Sequence, residues 1–319
     1  MPDVTKTPAA SDTVLTSDET VAANVPAVPA TGKPRSLWSD AWQQLRRNPL
    51  FVISALLIVL LLVMAIAPTL FTSVDPRSGD LTNHFLSKPE WGHVFSPEWF
   101  GYDKQGRSIY ARVIYGARAS ISVGVLVTLA VTILGGLIGM LAGYYGGWID
   151  SVLSRFTDIF FGIPFFLGAM VILTSFTDRE LWVVAGSMAF LGWTQIARVM
   201  RGSVITTKQS DYVTAARALG AGTGRILFRH ILPNAIAPVI VVATIALGGY
   251  IAAEATLSYL GLGLADPTIS WGIDISDAKD ALRDAPHVMF FPAGMLCLTV
   301  LAFIMLGDAV RDALDPKLR

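Results

Sequence analysis

DYVTAARALGAGTGRILFRHILPN, residues 211–234, is a polar stretch set between two long apolar ones. It carries a helical pattern of its own. Tyr212, Ala215, Ala216 and Leu219 fall at i, i+3, i+4 and i+7, one apolar stripe on a short helix. Gly220 follows where a C-terminal glycine ends a helix. Thr223 is placed to cap a second helix carrying Ile226, Leu227 and Ile231, with Pro233 expected to stop it. A compact basic helical element between apolar segments is a surface offered to a partner.

Working outward, the 319-residue chain is 53% hydrophobic with a mean hydropathy of +0.56. Only 15% of it is charged, against about 25% in a soluble domain. Most of the chain therefore belongs in lipid, as an all-α integral membrane bundle. A formal net charge of zero argues against nucleic acid as a partner. Cys297 is the single cysteine, so no disulfide framework is available; inside an apolar run it reads as a small core residue. Residues 1–34 lack apolar periodicity and read as a disordered tail, with no basic start or h-region of a signal peptide.

A span needs roughly 20 mostly apolar residues. Six windows qualify, near 50–71, 120–142, 156–176, 181–200, 236–260 and 288–307. The third contains Pro164, which a bundle tolerates when neighbours satisfy the freed carbonyl. Six spans give four parts: the tail 1–34, a first helix and extracytoplasmic loop 35–119, a five-helix core 120–310 that includes the loop 211–234, and a tail 311–319. Lys and Arg at both ends and in the 198–229 stretch place the termini and that loop in the cytoplasm. The first loop, with Arg77, Lys88, Lys104, Arg107, Arg112 and Arg118, runs against this rule.

Gly135, Gly139 and Gly143 recur every fourth residue, a spacing that lets another helix approach closely. Both a contact between subunits and packing within one bundle fit it. Glu254 lies at membrane depth in IAAEATLSYLGLG, either lining a pathway or pairing structurally, while Asp158 reads as a structural partner near an interface. Between the last two spans, Ile273, Ala278, Ala281 and Leu282 suggest a short amphipathic helix on the outer surface, with Trp271 as an interfacial anchor. Catalytic signatures are missing. There is no GxxxxGK[ST] phosphate loop and no HExxH, and His84, His93, His230 and His287 form no close ligand pair, so no metal site and no cofactor is expected in this chain. Energy for active transport must then come from a partner that hydrolyses ATP or from an ion gradient.

TAARALG…ILPN resembles the EAA loop of ABC importer permeases, with Ala215, Ala216, Gly220, Leu232 and Pro233 in register. Thr214 stands at the glutamate position and His230 at the first isoleucine. FGYDKQGRSIYARVIYGARASI (100–121), GYYGGWIDSVLSRFTD (143–158), EATLSYLGLG (254–263), SWG (270–272) and GDAVRDALDPKLR at the end are similar to the "C" permease subunit of the oligopeptide/dipeptide branch, over residues 38–319. The resemblance implies a type I ABC importer permease architecture in a bacterial inner membrane. It implies a homologous second permease subunit, an extracytoplasmic substrate-binding protein delivering peptide, and cytoplasmic ABC ATPase subunits that hold the ATP and Mg. It further implies that Tyr212, Ala215, Ala216, Arg217, Leu219 and Gly220 form a coupling helix docked on an ATPase, with Arg225 and Arg229 at the rim. Three other readings stand beside it: an ion-coupled transporter using Glu254, a same-family importer of nickel or another small solute, and a scaffold that conducts nothing.

Overall fold

The computed structural model describes residues 42–314. Ten labelled helices are used below: α1 (Pro49–Ile66), α2 (Leu81–His84), α3 (Ile109–Tyr145), α4 (Gly147–Phe161), α5 (Phe165–Thr174), α6 (Leu181–Thr207), α7 (Asp211–Ala218), α8 (Leu232–Tyr259), α9 (Trp271–Asp277) and α10 (His287–Leu314). Among the described residues there is no strand, only isolated bridges pairing Gly79 with Arg107 and Tyr102 with Ser108. The tail 1–34 lies outside the described residues. The expected boundary at residue 311 falls within α10, which continues to Leu314.

Among the described residues, five helices are long and apolar enough to cross a membrane: α1, α3, α6, α8 and α10. The expected third span is not one rod. It is the pair α4 and α5, bent by 78° across residues 162–164. Proline lacks the N–H that would continue the helix and drives the preceding residue towards extended backbone, so Pro164 breaks the span instead of being absorbed.

The expected second span starts too late. α3 begins at Ile109 and runs for 37 residues, about 55 Å. Its first turns bury Ile109, Tyr110, Val113 and Ile114, but Arg112 and Arg118 interrupt the apolar window. Both arginines are used by the fold. Arg112 is buried against Asp274, and Arg118 donates to the carbonyls of Ala65 (2.9 Å) and Ile66 (3.0 Å) at the end of α1. That cation on a helix C-terminus completes carbonyls the helix leaves open. The loop before α3 is closed by Asp103, which accepts from the backbone N–H of Gln105 (2.8 Å) and Arg107 (2.9 Å) and from Arg107 Nε (2.7 Å). Gly106 at its tip has φ +69, and a Cβ there would stand 2.3 Å from the carbonyl of Asp80.

The core is α3 laid along α6. Val123, Val127 and Val131 of α3 join Trp193, Ile196 and Met200 of α6, with Ile231 and Val239 closing the cluster. Gly135, Gly139 and Gly143 are the contact line: a Cβ on them would meet Trp193 O at 2.4 Å, Ala197 O at 2.3 Å and Arg201 O at 2.8 Å. The glycine stripe is therefore packing within this chain. Gly139→Ala should push the helices apart and cost about 1–3 kcal/mol. Gly136→Ala, whose Cβ would only touch Met200 Cε at 3.8 Å, should be close to neutral. Thermal melting of the two purified variants separates them.

Two further expectations change. Trp271 is not an interfacial anchor: it is fully buried, its Nε1 donating to Val113 O (2.9 Å) and its backbone N–H to Ser120 Oγ (3.1 Å). α9 is thus tucked among α3, α8 and α10, with Ala278 and Ala281 buried, because Gly272 allows its backbone onto Ala255. Cys297 is exposed on α10 and not in the core. An apolar helix in lipid does not reveal its inward face by composition.

Candidate functional site

α7 is a short helix held on the end of the bundle. Asp211 opens it and Arg217 lies in its last turn, each matched in sign to its end of the helix dipole. Its C-terminus closes as a Schellman turn, Gly220 N–H to Arg217 O (3.0 Å) and Ala221 N–H to Ala216 O (3.0 Å), with Gly220 at φ +80. A Cβ on Gly220 would meet nothing within 4 Å, so only the left-handed backbone demands glycine. Gly220→Ala should therefore cost about 1 kcal/mol, seen as faster amide exchange at residues 220 and 221. Gly222→Ala, at φ −69, should leave those amides unchanged.

The predicted stripe faces outward. Tyr212 is 44% exposed and Leu219 89%, Ala215 is exposed and Ala216 half-buried. What anchors α7 is Val213, completely buried in the main core. The stripe reading missed it because Val213 sits one residue off the helical series. Its only signal is that it is the one large aliphatic between Asp211 and Ala218. Arg217, Arg225 and Arg229 are exposed cations in the same loop, and Phe228 is exposed as well.

The second half of the loop differs from expectation. Gly222, not Thr223, occupies the cap position, and Thr223–Arg225 leads into a π turn at Ile226–Ile231 that runs straight into α8. Pro233 therefore opens α8 and does not stop a helix. A π turn widens the ring, so Leu232 N–H reaches back to Leu227 O. That loosened spacing accommodates a proline ring, which would clash in a regular helix. Asn234 Nδ2 donates to the carbonyl of His230 at 2.9 Å, one turn back across the proline. Ile226, Leu227 and Ile231 are buried as their spacing implied.

Three polar ties stiffen the platform behind α7. Arg201 Nε and its terminal nitrogen grip Asp150 at 2.5 and 2.6 Å, fixing α4 to α6. Lys208, just before α7, donates from Nζ to Gly143 O (2.8 Å) and Tyr144 O (3.1 Å), which joins the end of α6 to the end of α3. Arg198 pairs with Asp158 at 2.9 Å, the structural role expected of that carboxylate. A displacement of α7 would be carried into α3 and α6 through buried Val213 and these ties.

Glu254 lies elsewhere, toward the opposite end of α8, and is fully buried. Its Oε1 accepts from Ser258 Oγ (2.7 Å) and Ser270 Oγ (3.5 Å), clamping α8 to the start of α9. It lines none of the described cavities. The same end carries Arg112, whose Nε donates to Asp274 Oδ1 at 2.7 Å, and Arg107, bound to Asp103 at 2.7 Å and Asp277 at 3.5 Å. Metal-ligand side chains gather once among the described residues: Glu90, His93 and Glu98 bring ligand atoms within 4.8 Å of one another. Their proximity follows from a closed exposed loop, Glu90 N–H bonding Glu98 O at 3.0 Å.

Residues 135–319 match the binding-protein-dependent transport system inner membrane component family, and residues 36–89 match the N-terminal TM domain of oligopeptide transport permease C. The chain belongs to this permease family. It is 39% identical to the oligopeptide transport system permease protein OppC of Bacillus subtilis (strain 168), over 90% of this chain and 92% of that one. It is 38% identical to the dipeptide transport system permease protein DppC of Alkalihalophilus pseudofirmus, over 89% and 91%. The glutathione transport system permease protein GsiD of Pectobacterium atrosepticum is 35% identical over 89% and 93%. Membership makes the chain a multi-pass membrane subunit of a transport system, and it leaves the ion-coupled reading of Glu254 without support.

Proposed function

We propose that this chain forms one half of the translocation path of an ATP-driven peptide importer, and that residues 211–220 dock a separate ABC ATPase. The observation that carries the docking is the contrast within α7. Val213 is completely buried while Leu219 is 89% exposed, so the helix is fixed to the bundle by one side and offers an apolar knob on the other. An exposed apolar side chain on a helix that is itself pinned to the bundle suits a groove on a protein partner.

Further parts of the assembly follow from this reading. A homologous second permease subunit completes the path, and a substrate-binding protein delivers the cargo on the far side. ATP and Mg belong to the ATPase, and this chain is the non-catalytic subunit. Counting the bent pair as one crossing gives an even number, which supports having both termini and α7 on the same side, taken in this reading as the cytoplasm. The cations of the first loop do not oppose that orientation strongly. Arg107 and Arg112 are paired with carboxylates, Arg118 with α1, and Arg77 donates to Pro267 O at 3.0 Å.

Peptide is the proposed cargo because the relatives named above carry oligopeptide, dipeptide and glutathione in their names. Vesicles holding the complete transporter and its binding protein test this directly. ATP-dependent accumulation of a labelled di- or oligopeptide is expected. ATP turnover without any accumulation would support a scaffold, and accumulation of nickel but no peptide would move the cargo elsewhere in the family.

A further inference from the structure

The break in the bent span opens a cavity of about 490 Å³ against α6 and α8, walled by Phe160, Phe161, Pro164, Gly192, Gln195 and Tyr250. That volume is in the range of small-ligand sites, about 300–1,000 Å³. Two independent features argue against lipid filling it. Gln195 sits near the middle of α6, exposed, with its amide bonded to nothing among the described residues; a bare amide at membrane depth is expensive unless water, cargo or protein meets it. The non-helical backbone at 162–164 also lies there, and such backbone survives at that depth only when buried in protein or beside a water-filled space.

Resting on the importer reading above, we propose that this cavity is the chain's wall of the translocation path, and that Gln195 is the side chain that meets the main-chain amides of the cargo. Tyr250 forms the floor, its hydroxyl donating to Gly192 O at 3.2 Å. A Cβ on Gly192 would stand 2.6 Å from that hydroxyl, so the glycine makes room for the ring. Among the described residues no acid or base lines the cavity, while phenylalanines surround it. An amide flanked by apolar rings suits a solute defined by its peptide bonds, with side chains of varied shape tolerated around it. The charged pair Arg198–Asp158 belongs to a separate neighbouring cavity.

The test uses the whole transporter in vesicles, with Cys297→Ser removing the only native cysteine and Gln195→Cys introducing a probe. A membrane-impermeant thiol reagent is expected to label residue 195, and the rate is expected to change when the ATPase is trapped with nucleotide. No labelling in either state would mean that lipid or a packed helix covers the face, and would overturn the proposal. Labelling needs no peptide, so it reads this inference even if the cargo is not peptide. Where the parent accumulates peptide, Gln195→Leu should lower uptake about tenfold, the worth of one lost hydrogen bond, with ATP turnover retained and uptake restored by Gln195→Asn. Unchanged uptake in Gln195→Leu would remove the role in meeting the cargo.

Discussion

Leu219→Asp is expected to release the ATPase from this subunit while leaving the bundle folded. Leu219 is almost fully exposed and touches no part of the core, so its loss should change stability by no more than about 0.5 kcal/mol. Under the proposed docking, the same side chain fills a desolvated groove. Truncating such an anchor costs about 2–4 kcal/mol of binding, and a carboxylate in its place adds a desolvation cost. Affinity for the ATPase should fall by about a hundredfold or more, with transport falling alongside it. Val213→Asp is the instructive contrast. It buries a charge in the main core and should unseat α7 itself, so melting temperature and docking fall together. Titrating purified ATPase onto the two variants in detergent distinguishes a lost contact from a lost platform.

Asp274→Ala should be the most destabilising single change at the opposite end. It leaves the buried guanidinium of Arg112 without its carboxylate, and breaking a buried pair from one side costs about 3–5 kcal/mol. Arg112 would keep only Pro76 O, at 3.4 Å. Removing both partners, as Arg112→Leu with Asp274→Leu, should recover most of the loss, since an apolar pair of similar bulk leaves no uncompensated charge. Thermal melting of the singles and the double measures the coupling. Additive losses would show that the pair does not act as a unit.

Much of the architecture can be read from periodicity and length. The apolar windows locate each crossing, the glycine spacing marks the closest helix contact, and the i, i+3, i+4, i+7 series marks α7 and its terminating Gly220. What escapes has identifiable causes. A hydropathy window cannot know that Arg112 is neutralised by Asp274, a partner far along the chain, so α3 is cut short by eleven residues. Proline alone does not say whether a helix breaks, as at Pro164, or starts, as at Pro233 behind its π turn. Glycine at every fourth position does not name the partner, which here is α6. Trp271 and Cys297 exchange their expected places because burial in a membrane bundle depends on neighbours, not on polarity. Gln195 is plain in the sequence, yet only the break at 162–164 shows the space it faces.

Site-specific crosslinking from Leu219 tests the central claim most directly. In a Cys297→Ser background, Leu219→Cys carrying a short photoreactive thiol reagent would be irradiated in the intact transporter. The account predicts an adduct to the ATPase subunit, lost when the label is moved to buried Val213. Adducts only to lipid or to the second permease, in a complex that still retains its ATPase, would contradict it.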